Sequence, residues 1–154
     1  MIDDVKKYLL ESAKTGYASG DTKTWVKEED FSTTITNSIG DFRMQDNFFG
    51  GEPYGGREVI FNRNKPIWIM VYYGKVLSDN PDKIYEVLRK ALSSPELSMP
   101  IRGPKMMTTG EYTYTFKWNG SLDNFSAEES IMQNGGLVYQ ANFLGGNVDK
   151  RKGD

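Results

Sequence analysis

The 154-residue chain has no histidine and no cysteine. Histidine is the usual general base near neutral pH and the commonest zinc ligand, so Ser-His-Asp and Cys-His machinery is excluded by composition. Without cysteine there are no disulfides, thiolate metal sites or thiol nucleophiles. Any catalysis has to use carboxylates, lysine, tyrosine or a carboxylate-bound metal. An excess of positive charge is also missing: 19 Lys and Arg face 21 Asp and Glu, a net of −2. That balance gives no global attraction for a phosphate backbone, so nucleic acid is disfavoured as a partner. No apolar run approaches the about 18 residues a membrane helix needs, and no signal-peptide pattern opens the chain. The expectation is a cytoplasmic protein with no membrane association, no metal and no cofactor.

What is present is aromatic and glycine-rich: 13% of the residues are Phe, Trp or Tyr, and 16 are Gly. Most of the rings fall in two stretches, Gly40 to Gly74 and Gly110 to Gly145. Asp41, Phe42 and Phe48 match Glu111, Tyr112 and Trp118 at one constant spacing. After one extra residue, Tyr54, Glu58, Ile60, Trp68 and Tyr72 match Phe125, Glu129, Ile131, Tyr139 and Phe143. Each stretch reads as strand, loop, strand, tight turn, strand. Asn62-Arg63-Asn64-Lys65 and Gln133-Asn134-Gly135-Gly136 are the turns, since type I′ hairpins favour Asn and Gly at positive φ. Ile67 to Tyr73 is apolar on both faces, which predicts a strand covered on both sides. In the second stretch Gln140 and Asn142 stand where the first has Ile69 and Val71. That difference marks either a partly wet cavity or a more exposed strand.

Apolar residues at helical spacing predict a helix over about Asp3–Lys14 and a second, linking helix over about 81–93, opened by Asn80-Pro81. Tyr17 and Trp25 are candidate anchors, Glu28-Glu29-Asp30 a solvated turn, Phe31 to Ile35 a short strand, and 149–154 a frayed tail. The Gly50–Gly56 loop lacks the Lys-Ser/Thr of a P-loop and runs into a strand, so it reads as a β-connection. The whole is one α+β domain, 1–154: a bent, mostly antiparallel sheet of six or more strands. Two pseudo-repeated three-strand meanders (about 40–74 and 110–145) build that sheet, with two helices packed on it.

Several blocks together carry a resemblance. They are Ala13-Lys14-x-x-Tyr17-Ala18, Tyr54-Gly55-Gly56-Arg57-Glu58, Pro66 to Gly74, Arg102-Gly103-Pro104, Gly110 to Tyr114 and Phe125 to Glu129. Their order resembles a family of uncharacterised bacterial domains, some of them attached to helix-turn-helix regulators. The resemblance implies a domain type and a regulatory setting, not a reaction. Val71 departs from the asparagine the family tends to have, and Ser126-Ala127 replaces a glycine-containing loop.

Glu58 and Glu129 occupy equivalent places in the two stretches. Paired on one surface, they would serve as acid and base or hold a cation; otherwise each accepts backbone N–H groups of its own loop. Arg102, stiffened between Pro100 and Gly103-Pro104, either clamps an anionic ligand or pairs with one of those glutamates. Tyr54, Tyr72, Tyr112 and Asn142 complete the candidate ligand-binding set; no catalytic residue is assigned. The expected function is non-catalytic binding of a small molecule or a protein partner, as a sensor in a regulatory setting. The alternatives are a carboxylate-based hydrolase or isomerase, and a ligand-sequestering protein of a mobile element.

Overall fold

The computed structural model describes residues 1–16 and 23–151. The Tyr17 anchor and the last three residues of the tail lie outside them. Helix α1 (Ile2–Gly16) carries Asp3 and Asp4 in its first turn, complementing the helix dipole. It buries Val5, Tyr8, Leu9 and Ser12. Helix α2 (Pro81–Leu92) starts where Asn80 caps it, its side chain accepting the Lys83 N–H, with Pro81 at the first helical position. Its apolar stripe of Ile84, Val87, Leu88, Ala91 and Leu92 is buried.

Nine strands form one open antiparallel sheet: β1 (Lys23–Lys27), β2 (Thr33–Ile39), β3 (Phe42–Phe49), β4 (Tyr54–Asn62), β5 (Lys65–Val76), β6 (Met106–Thr109), β7 (Tyr112–Ser121), β8 (Asn124–Gln133) and β9 (Gly136–Asn147). The order is β1-β2-β3-β4-β5-β9-β8-β7-β6. One meander therefore runs inward to β5, the other to β9, and the two join along β5·β9 with Tyr72 opposite Phe143. Arg63 with Asn64, and Asn134 with Gly135, all have positive φ, as type I′ turns require. Gly40 and Gly110 both sit at φ 59° in the preceding turns. The register slips at Ile60/Phe61 in one meander and at Ile131/Met132 in the other.

One face of the sheet carries the core. Trp68, Met70, Tyr139, Ala141, Phe143, Ile60, Tyr114 and Phe116 join the stripes of both helices in a single buried cluster. Trp68 stacks on Phe125 and donates its indole N–H to the Leu122 carbonyl at 2.8 Å. Among the described residues the opposite face is largely open. On this face of β5 Ile67 is buried and Ile69 half-buried, but Val71 is 42% exposed and Tyr73 57%, so the strand is covered on both sides only at its start. Antiparallel sheets can leave one face in water, and both helices here pack against the other. Gln140 and Asn142 lie on this open face, partly and fully exposed, and belong to an exposed strand surface and not to a cavity. Trp25 is also exposed, because β1 is an edge strand with nothing packed over its ring among the described residues. The strands β1 and β6 extend the sheet beyond the expected meanders, and β2 starts and ends later than Phe31 to Ile35. Among the described residues no helix is long and apolar enough to cross a membrane.

The β5·β9 seam is tight at Gly145. A Cβ there would strike the Ile69 carbonyl and come within 2.8 Å of the Phe125 ring and 2.9 Å of the Met70 Cα. Gly145→Ala is expected to destabilise the fold by about 1–3 kcal/mol, the usual range for overpacking, read as a lowered urea midpoint.

Candidate functional site

The stiff segment between α2 and β6 lays Arg102 across the core face of the sheet. Its Nε donates to Glu129 Oε2 at 2.9 Å and its Nη2 to Oε1 at 2.7 Å. Glu129 has no exposed surface. Tyr114 donates to its Oε2 at 2.5 Å and Tyr139 to its Oε1 at 2.9 Å. The carboxylate thus has donors at all four of its lone-pair positions. These donors are side chains, not the backbone of its own loop. The Tyr114 oxygen in turn accepts the Gly103 N–H at 3.0 Å. Gly103 has to be glycine, since a Cβ would meet the Tyr114 ring at 2.7 Å. Because Tyr139 spends its proton on Glu129, Tyr54 is the donor in the short Tyr54–Tyr139 hydrogen bond. Burial opposes the charge on Arg102, but Glu129 outweighs it and holds the guanidinium well above its ordinary value. The guanidinium lies 4.9 Å from the Phe143 ring centre.

Glu58 has a different neighbour. It sits directly across from Asp46 in the β3·β4 ladder, on the core face. Tyr72 donates to Asp46 Oδ1 in a short hydrogen bond. Burial, then the Asp46 carboxylate, push the Glu58 carboxyl up to about 8, against the pull of Arg102 and Lys23. Burial likewise raises Asp46 above the usual carboxylate range, opposed by the Tyr72 hydrogen bond, Arg102 and Lys23. Burial, reinforced by Asp46, keeps the Tyr72 hydroxyl protonated.

Asp46, Glu58 and Arg102 open into a cavity of about 260 Å³ walled by Phe48, Tyr54, Met70, Tyr72, Tyr85 and Leu88. The same three residues border a smaller hollow of about 120 Å³ that runs under α1 to Ser12 and Lys23. The Gly50–Pro53 loop forms the rim. Glu52 straps it down, accepting the Val76 N–H at 2.7 Å and the Tyr85 hydroxyl at 2.5 Å. A wider hollow of about 460 Å³ lies between Lys83, Glu86 and Lys90 of α2 and the Gly110 turn. Its charged lining, Lys83, Glu86, Lys90 and Glu111, is exposed, and it is not the candidate site.

Of the residues singled out in the sequence, Tyr54, Glu58, Tyr72 and Arg102 line the cavity, and Glu129 lies behind it as the partner of Arg102. Tyr112 is buried beside the wider hollow, and Asn142 is exposed on the far face. Asp46 and Tyr85 escaped the sequence reading. The signal for Asp46 was there: Met44, Asp46 and Phe48 share one strand face, so an acid interrupts an inward-facing row. Tyr85 carried no such mark.

A family model described as a domain of unknown function, DUF5680, matches residues 46–148. The match contains Asp46, Glu58, Tyr72, Arg102 and Glu129. It leaves out α1. No curated protein and no solved structure matches the chain.

Removing one partner of the buried pair leaves an uncompensated charge. Glu129→Ala is expected to cost about 3–5 kcal/mol, and Arg102→Met with Glu129→Leu together less than that, measured by urea denaturation. A second expectation concerns acidity. The folded protein holds the Glu58 proton up to about pH 8, whereas the unfolded chain releases it near the ordinary glutamate value of 4.5. The folded state binds the extra proton in that window, so stability falls as pH rises from the ordinary glutamate range through about 8. Urea midpoints measured across the window are expected to decline for the wild type and to flatten in Glu58→Gln.

Proposed function

The chain belongs to the DUF5680 family, and we propose that its domain is a non-catalytic receptor for a small molecule bound in the Asp46–Glu58 cavity. The observation that carries this reading is a cross-strand carboxyl pair facing a tyrosine-walled hollow whose guanidinium is already engaged elsewhere. A concave, mostly apolar site with a few convergent polar groups is the usual form of a small-molecule pocket. The regulatory, cytoplasmic setting is supported only by resemblance to domains attached to helix-turn-helix regulators, which is an analogy of family and not of site. We also read the two meanders as an internal repeat. The shared φ of Gly40 and Gly110, the two matching register slips and the Tyr72–Phe143 pairing support it.

One observation favours a second reading, a carboxylate-based hydrolase or isomerase. Glu58 keeps its proton near neutral pH beside a second carboxyl, as in an acid–base pair. The pair would then be Asp46 with Glu58, since the oxygens of Glu129 are all occupied. The receptor reading is preferred because the strongest group for stabilising developing negative charge, Arg102, is spent on Glu129.

Native mass spectrometry of the protein purified from its host tests the proposal. The wild type is expected to carry a small molecule, and Asp46→Asn combined with Glu58→Gln to lose it while keeping a cooperative urea transition. No bound mass, together with no thermal shift across a metabolite panel, would remove the receptor reading.

A further inference from the structure

We propose that the occupant of the cavity carries a protonated amine, seated between the carboxylates of Asp46 and Glu58, with an adjoining apolar body against the tyrosines. This rests on the receptor reading above and goes beyond it by naming the ligand class. With both carboxyls ionised, three oxygens of the pair, Asp46 Oδ2 and both of Glu58, have no hydrogen-bond donor among the described residues. An ammonium group has three donors and no acceptor, so the two sets match in number and kind. The Glu58 carboxyl is mostly buried and faces both hollows.

The alternatives fit worse. A carboxylate or phosphate would approach Arg102, but it would do so among Asp46, Glu58 and Glu129, with the guanidinium already bound bidentately. A neutral hydroxyl brings one donor and no charge to the pair, against the three donors and the positive charge of an ammonium. The walls suit a cation too. The Tyr54 ring packs at a tilt against those of Tyr72, 5.9 Å between centres, and Tyr85, 6.4 Å, so the hollow has an aromatic wall on that side. At about 260 Å³ the space sits just under the usual range for ligand sites, about 300–1,000 Å³, and so takes a small amine.

Binding of an ammonium favours ionised carboxylates on both residues, so Glu58 gives up its proton to solvent as the ligand enters. The groups facing Glu58 are Asp46 from β3, Tyr72 from β5, Lys23 from β1, Tyr8 from α1 and Arg102 from the segment after α2. Both tyrosines are held protonated by burial, with Tyr8 pushed up to about 12. Arg102 stays charged. Glu58 is therefore the group whose proton the ligand displaces.

Calorimetry on the full chain with phenethylamine, phenylacetate and 2-phenylethanol separates the classes. The amine is expected to bind at least about tenfold tighter than the other two, the discrimination typical of one strong polar contact. Its affinity is expected to rise toward about tenfold per pH unit between about pH 6 and 8, where an aliphatic amine stays protonated. Comparing buffers of different ionisation enthalpy should show proton release on binding in the wild type, which needs no variant to fold. Glu58→Gln should weaken binding and flatten its pH dependence. Equal binding of the acid or the alcohol, or amine binding without proton release, overturns the proposal. If none of the three binds, the molecule carried from the host decides: an amine supports the proposal, and a non-amine overturns the ligand class while the receptor reading stands. With no carried molecule and no thermal shift, both fall.

Discussion

The Arg102–Glu129 ion pair is the constraint on which the site depends. Taking a guanidinium and a carboxylate out of water costs several kcal/mol per ion, and mutual attraction offsets this only when the remaining donors and acceptors are matched. Here they are matched on the glutamate side without remainder. Two bonds come from Arg102 and one each from Tyr114 and Tyr139, with Gly103 and Tyr54 completing the second layer. The pair fixes the loop between α2 and β6 to the sheet. In doing so it sets the position of Arg102 at the back of the cavity, and that guanidinium in turn tempers the acidity of Asp46 and Glu58.

Glu129 and Glu58 take on opposite roles. Both point to the core face. Across from Glu129 stands Phe116; across from Glu58 stands Asp46. The partner of Glu129 is thus a ring, and its charge is met by an arginine from outside its own meander. Glu58 meets a second acid, and among the described residues no ion pair to it is formed. The cross-strand neighbour and the landing place of Arg102 together decide which glutamate is sealed in an ion pair and which faces the hollow.

How much of this was legible in the sequence follows from the range of the interactions. Local chemistry was readable: both type I′ turns, the Asn80-Pro81 start of α2 and the apolar stripes of both helices are set by residues within one or two turns of each other. The edge strands were not. In β1 the row Lys23 to Lys27 has an exposed Trp25 and no alternation to betray it, and β6 is only four residues long. The covering of β5 was misread because apolar side chains on both faces do not say which face a helix will reach. The choice of Glu129 over Glu58 by Arg102 is a contact across 27 positions, settled by where the loop after α2 lands on the sheet. Neither glutamate differs locally in a way that foretells it. Asp46 was visible only once β3 had a register.

The Asp46–Glu58 pair is costly to the fold. Two partly buried acids side by side raise each other's free energy, and the structure meets that cost only in part, with the Tyr72 hydroxyl on Asp46 and a retained proton on Glu58. A sheet face built for stability alone would place Met or Leu there, as it does at Met44 and Met70 in the same two rows. Local choices elsewhere in the chain agree with the fold: caps, turns, close-packed glycines and the matched ion pair. The exception stands in the one hollow where those elements converge. Deviations from otherwise consistent local rules are where function is usually written. The physical form of this deviation, two carboxyls side by side among aromatic rings with one of them kept protonated, specifies what could relieve it.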